Sequence, residues 1–303
     1  MSDGLVLRGP RVVMAPDDAL FPAALSRLRD APKALYVVGN PAALSEGIAV
    51  VGARKATPYG VRCAKRFSSL AAERGVVVVS GGARGCDAAA HEAAIAAGGT
   101  TIAFLGGGCD RLYPAEHQGL FQRIVDSGGA VVSEQPWEAP PMPWMFRMRN
   151  RLIAGLARAT LIVEAGLPSG TFSTADEALA AGREVLVVPG SIASETSHGA
   201  NRLICQGATP IIDDETFLDA LFLLFGCLRE DSSSNVIASS ACQDNEVVNA
   251  LRAAPMGIEE LYEFARERCG VQQAKDWLMP RLAEGLDSGQ IARYPDGRWG
   301  PTV

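Results

Sequence analysis

From about residue 34 to residue 212 the chain alternates short β-branched runs with alanine-rich helical stretches, and glycines punctuate the junctions. No other feature restricts the fold as much. Strands are expected at 35–38, 48–51, 76–80, 101–105, 130–133, 161–164, 185–189 and 210–212. Helices are expected between them near 59–74, 86–97, 116–127, 148–157, 171–182 and 198–206. Apolar runs of this length, separated by helices, are the mark of strands buried on both faces in βαβ units. The pattern therefore predicts an α/β fold: an extended Rossmann-like, doubly wound, mostly parallel sheet. In such sheets ligands bind beyond the carboxyl ends of the strands, so the loops after each strand carry the functional question.

After this block, residues 213–226 are expected to form a capping helix with an apolar stripe of Leu218, Leu221, Phe222 and Phe225, packed on the sheet or on a second copy. Residues 227–243 are Ser-rich and without period, which reads as a linker. Residues 244–303 read as a small winged-helix-like domain. Its helices are expected at 245–253, 258–268 and 273–287, with Pro280 kinking or breaking the third, and a hairpin over 290–300 turns at Pro295-Asp296-Gly297. The presumed recognition helix sets Lys275 and Arg281 against Asp276, Glu284 and Asp287. A helix that reads DNA needs a positive face against phosphates. The domain is therefore read as a protein-docking or structural wing.

Composition narrows the function classes. Apolar residues make up 48 % and charged residues 20 %, enough for a packed core and too little charge for a disordered chain. The net charge is −6, yet residues 48–212 hold two more bases than acids. An anion site, if present, has to be local. Only four of the 28 bases are lysines, and arginine suits bidentate phosphate contacts and stacking. Seven scattered cysteines without a Cys-x-x-Cys pair suit reduced thiols, and three histidines make a metal site implausible. No long apolar run and no signal segment are visible, so a cytoplasmic protein that neither spans nor binds a membrane is expected.

Five glycine-bearing loops carry the chemistry. In VVGARKATPYG (50–60), Gly52 permits close backbone approach, Arg54 projects from the strand end, and Thr57-Pro58 opens a helix. In VSGGARGCDAAAHEAA (79–94), Gly81 and Gly82 free backbone amides to face a ligand, while Arg84 is an outward anion contact or an internal brace. Asp87 and His91 share one helical face, as acid–base machinery or, more often, as a structural lock. In LGGGCDRLYP (105–114), Gly106 begins a run that serves backbone approach to a ligand or simple turn geometry. In FRMRNRLIAGL (146–156), Arg147, Arg149, Asn150 and Arg151 follow Phe146, and bases interleaved with aromatics suit single-stranded nucleic acid. Phe146 as a core anchor is the competing reading. In VEAGLPSGTFSTADEAL (163–179), Ser169, Gly170 and Thr171 precede a helix and converge on an anion. This loop lacks the lysine of a Walker loop and the spacing of a nucleophile elbow. No catalytic residue, metal ligand or cofactor is assigned.

As an ordered set, SGGARG-x-D-x-x-AH, Phe146 followed by RNRLIAGL, and VEA-x-x-x-SGT-x-x-TA closely resemble the DNA processing protein A family (DprA, also called Smf) over residues 20–212, with 245–303 similar to that family's winged-helix tail. The resemblance implies a non-catalytic homodimer that binds and protects incoming single-stranded DNA and helps load the RecA recombinase in natural transformation. It places the DNA groove at Gly52, Arg54, Gly81, Gly82, Phe146, Arg149, Asn150 and residues 169–171. Three departures matter. Pro140, Pro141 and Pro143 stand where the family often has a basic residue, the helical extension before residue 20 is expected to be absent, and acidic segments after residue 212 disfavour DNA there. The rival reading is a nucleotide phosphoribohydrolase of the lysine-decarboxylase-like (LOG) type. Its Pro-Gly-Gly-x-Gly-Thr-x-x-Glu string differs from Leu167–Thr171 in glycine run and in the position of the acid.

Overall fold

A computed structural model describes residues 6–167, 170–226, 245–253, 255–270, 273–294 and 297–301. Contacts divide the chain into two units, Met1–Arg229 and Glu230–Val303. The Ser-rich segment 227–243 falls outside the described residues.

The first unit is built on a nine-stranded sheet of β1 (Arg11–Met14), β2 (Leu35–Gly39), β3 (Gly47–Val51), β4 (Val78–Ser80), β5 (Thr101–Leu105), β6 (Ala130–Ser133), β7 (Ala157–Ile162), β8 (Glu184–Val187) and β9 (Thr209–Pro210). Their order is β1-β2-β6-β5-β4-β3-β7-β8-β9. Every pair from β6 to β9 is parallel, while β1 and β2 are added antiparallel at one edge. β3 and β5 are buried along their whole length, which explains why they read as unbroken apolar runs rather than alternating ones.

The helices are α1 (Ala23–Ser26), α2 (Pro58–Glu73), α3 (Cys86–Ala96), α4 (Gln118–Asp126), α5 (Pro143–Leu156), α6 (Thr171–Ala180), α7 (His198–Cys205) and α8 (Asp214–Phe225). Alternate strand residues serve opposite faces. Ala49 and Val51 pack with Leu152, Ile153, Ala175 and Leu203 of α5, α6 and α7. Ile48 and Val50 pack with Phe67, Ala90, Phe217 and Leu221 of α2, α3 and α8. The doubly wound, mostly parallel α/β plan read from the sequence is therefore the one observed.

Several boundaries differ for physical reasons. α5 begins at Pro143 rather than near 148, because proline lacks only an amide that the first helical position leaves unpaired anyway. β7 lies at Ala157–Ile162 rather than 161–164, which leaves Glu164 in the loop beyond the strand. The stripe of α8 is Phe217 and Leu221 with Leu218, Leu224 and Phe225 alongside; Phe222 points away. β1 was not expected at all.

The second unit holds α9 (Glu246–Ala253), α10 (Ile258–Cys269), α11 (Ala274–Asp287) and an antiparallel pair, β10 (Ile291–Arg293) and β11 (Trp299–Pro301). Three helices and a hairpin match the winged-helix plan. Val247, Leu251, Leu261, Leu278, Leu282 and Ile291 form its core. α11 runs through Pro280 without a break, with the buried Leu278 and Leu282 anchoring the turns on both sides. Of the expected hairpin turn, Pro295 and Asp296 fall outside the described residues.

Candidate nucleic-acid interface

The strand order reverses at β3: β4, β5 and β6 follow one another outward on one side, and β7 returns to the other. Loops leaving the carboxyl ends of β3 and β7 diverge at such a point and leave a crevice. Here it is a groove of about 840 Å³, lined by Gly52 and Arg54 after β3, by Phe146, Arg147, Arg149 and Asn150 of α5, and by Gly170 and Thr171 at the start of α6.

Each lining element is positioned by local chemistry. A Cβ on Gly52 would come within 2.6 Å of Cys86 Sγ, so only glycine lets this loop press against the start of α3. Thr57 caps α2 by accepting from the Gly60 amide at 3.2 Å, and Pro58 follows at the favoured first position. Between these fixed ends Arg54 is exposed, its guanidinium carbon 5.7 Å from the centre of the Phe146 ring. Tyr113 stands 5.2 Å from Phe146 at 60°. A Cβ on Gly106 would reach within 2.8 Å of Phe146, so Gly106 acts as the seat of that ring rather than as a surface for ligand. The result is an aromatic platform with a cation beside it, a combination that attracts stacked bases and phosphates together. α6 opens at Gly170, which with Thr171 lines the groove, so the positive end of its dipole lies at the same groove.

Other expected site residues do different work. The Gly81 amide donates to Asp87 Oδ2 at 3.1 Å and the Ala83 amide to the same oxygen at 3.4 Å, so these amides hold the carboxylate instead of facing a ligand. Gly82 has φ +64°, and a Cβ there would strike Phe121 at 2.4 Å; its requirement is packing against α4. Neither glycine is a lining residue of the groove. Arg84 is outward and exposed, ion-paired with Glu116, and lies outside the lining as well.

Arg149 lines the groove but is 7 % exposed. Its Nη1 donates to Gly81 O at 2.8 Å and to Phe104 O, which ties β4 and β5 to α5. Burial pushes its pKa down to about 10, with the Asp87 carboxylate opposing and Arg54 adding to the fall, so it remains a fixed positive charge at neutral pH. Burial pushes Asp87 up from its ordinary value, against the pull of Arg149. Asn150 bridges α5 and α6, its Oδ1 accepting from Arg149 Nε and its Nδ2 donating to Ser173 Oγ, both at 3.3 Å. Ser169 falls outside the described residues.

Asp87 and His91 are not an acid–base pair. Thr101 Oγ1 donates to Val78 O, so it accepts from His91 Nδ1 at 2.7 Å. Burial, with lesser contributions from His117 and Arg149, lowers the His91 pKa to about 3, and the ring is neutral. Among the described residues, no group of three or more potential ligands could hold a metal ion, and no helix is long and apolar enough to cross a membrane.

The family described as DNA recombination-mediator protein A matches residues 12–222 of this chain. This chain belongs to that family. This recombination-mediator protein is 43 % identical to Protein Smf of Escherichia coli (strain K12) over 283 residues, which is 93 % of the chain and 75 % of its relative. It superposes on DNA processing protein A of Streptococcus pneumoniae with a TM-score of 0.64 at 36 % identity, covering 69 % of this chain and 74 % of the other. The corresponding protein of Helicobacter pylori, whose structure gives insights into a unique single-stranded DNA binding mode, superposes with a TM-score of 0.65 at 30 % identity, covering 71 % and 97 %. In this family member Tyr113, Ser173 and Thr174, none of them expected at the site, also line the groove, as does Arg147 of the interleaved arginines. An aromatic near the end of the third glycine loop was the available signal for Tyr113. Arg147 differs from Arg149 only in which helical face is buried.

Proposed function

We propose that the groove over β3 and β7 binds single-stranded DNA, as part of protecting incoming DNA and helping to load the RecA recombinase in natural transformation. The protein acts without catalysis or cofactor, in the cytoplasm, as a homodimer. The observation that carries the reading is the triad of Arg54, Phe146 and Tyr113 lining one groove with the start of α6 at the topological switch point. Stacking surfaces are open to single strands and closed to paired bases. The binding mode described for the Helicobacter pylori relative supports the same ligand. The exposed Phe222 and Leu223 on α8, the latter 82 % exposed, support a second copy as partner. For the hydrolase reading a carboxylate has to be presented to the groove. Asp176 and Glu177 are not lining residues, and Asp87 is held by two backbone amides.

The test is fluorescence anisotropy with a labelled oligothymidine and a duplex of equal length. The single strand should bind more tightly. Arg54→Glu exchanges a phosphate contact for repulsion and should weaken it about tenfold to a hundredfold. Equal binding by the parent and Arg54→Glu would remove the groove assignment.

A further inference from the structure

Beside the groove, over the carboxyl ends of β7 and β8, lies a second cavity of about 450 Å³. It is lined by Thr57, Tyr59 and Glu164, by Pro189-Gly190-Ser191 after β8, and by Ser194, Thr196 and Ser197. Its walls are fixed. Tyr59 donates to Pro189 O at 2.8 Å, and Asn201 brackets Gly190 by accepting from its amide at 3.1 Å and donating to its carbonyl at 2.9 Å. A Cβ on Gly190 would lie 2.1 Å from Ser197 Oγ, so the loop and this hydroxyl are pressed together.

The unusual group is Glu164, 3 % exposed and still a lining residue. Oε2 accepts from the Thr57 amide at 2.9 Å, and a Cβ on Gly60 would lie 2.3 Å from it. Oε1 has no hydrogen-bond partner among the described residues, and neither has the Ser197 hydroxyl, on a residue 5 % exposed. Neither atom is among the buried polar atoms without a partner, so both open onto the cavity, which is complementary to a molecule that brings donors to the one and an acceptor to the other.

We propose that this cavity is a base subsite selective for guanine, resting on the reading that the adjoining groove holds single-stranded DNA. Thr57 lies three residues after Arg54 on the same loop, so the subsite is a neighbour of the groove along the strand ends. Neighbouring strands are only about 4.8 Å apart, within reach of adjacent nucleotides. Base chemistry selects the occupant. The Watson–Crick edge of guanine presents two adjacent donors, N1–H and N2–H2, followed by the O6 acceptor. The carboxylate of Glu164 accepts from the two donors and the Ser197 hydroxyl donates to O6. Cytosine and adenine each offer one amino donor beside acceptors, and thymine offers one N–H between two acceptors; each leaves a repulsive contact against the carboxylate. Bases extruded from a single strand are commonly read on this edge.

The test measures anisotropy for oligothymidines of one length carrying a single central thymidine, deoxyguanosine, deoxyinosine, deoxyadenosine or deoxycytidine. The deoxyguanosine strand should bind roughly tenfold more tightly than the all-thymidine strand. Deoxyinosine, which lacks the N2 amino group, should be intermediate. Glu164→Gln puts an amide donor opposite N1–H, so the ratio of affinities should fall to about one. Ser191→Trp blocks the cavity from an exposed position without touching a buried group and should abolish the ratio too. Equal binding of all five strands by the parent, or a deoxyguanosine advantage that survives both variants, would overturn the subsite alone. Failure of every strand to bind would overturn the groove reading, and the subsite with it.

Discussion

Arg149 and His91 show how little a residue's type says about its work. Arg149 belongs to a run of alternating arginines, yet its guanidinium is anchored to Gly81 O and Phe104 O, carbonyls 68 and 45 residues away in sequence. His91 lies one helical turn from Asp87 and binds Thr101 instead. Its burial has a measurable consequence. The native ring has a pKa of about 3, whereas an unfolded histidine sits near about 6.5. Between those values the unfolded chain binds a proton that the native protein refuses. Stability from this group is therefore complete above about pH 6.5 and falls by about 1.4 kcal/mol per pH unit as the solution is acidified. Asp87 acts in the opposite sense: its raised pKa lets the native carboxylate take a proton before the unfolded one, offsetting part of the loss at the acid end. Urea unfolding at pH 7 and pH 5 isolates the histidine when the parent is compared with His91→Gln. The parent should lose about 2 kcal/mol more between the two pH values than the variant does. Identical losses would mean that His91 is protonated in the native state.

At the level of elements, α8 illustrates a helix whose start is set locally and whose face is set by the sheet. Asp213 accepts from the Thr216 amide at 2.8 Å while Thr216 Oγ1 accepts from the Asp213 amide at 3.2 Å, a reciprocal cap. Asp213→Ala removes one half and should lower the stability of the first unit by about 1 kcal/mol, read as a shift of the urea midpoint. An unchanged midpoint would mean that water serves the Thr216 amide equally well. The Asp213 cap was not among the expectations, but the glycine-bounded strands β5 and β6 and the helices α2, α3 and α6 were all legible in the sequence, because each is specified by neighbours within a few residues. β7 was not. Arg158 interrupts its apolar run, and its tolerance there depends on Leu224 O and Glu46, far away in sequence. The same distinction runs through the site. Gly52, Arg54 and Gly170, expected at the site, line the groove because strand-end loops have one destination, and Phe146 of α5 joins them there. The direction of the Gly81 amide and of Arg84 was not readable, since Asp87 and Glu116 decide it in three dimensions. Glu164 escaped notice for a related reason: it was placed inside a strand, and only the end of β7 at Ile162 sets it in a loop beside a cavity.

For the whole molecule, the proposed function has to reconcile a net charge of −6 with a polyanionic ligand. Long-range attraction cannot be the driving force, so the charge has to act at short distance within the groove. Its exposed cations are Arg54 and Arg147, joined by the start of α6, while Arg149 contributes from beneath. On the proposed function this set would neutralise about three phosphates, and for single strands each contributes about −0.7 to the slope of log affinity against log salt, giving an expected slope near −2. Affinity for oligothymidine should therefore fall about a hundredfold over a tenfold rise in salt, and Arg54→Glu should make the slope shallower by about one phosphate. Anisotropy titrations of parent and variant across that range measure both quantities. A slope twice as steep would require phosphate contacts outside this groove, on a part of the molecule where acids outnumber bases. A flat response would leave the aromatic platform of Phe146 and Tyr113 as the whole of the binding energy. The expected intermediate slope is the one that a small cationic groove on an acidic protein has to produce: short-range phosphate contacts that register the strand, and stacking that salt does not screen.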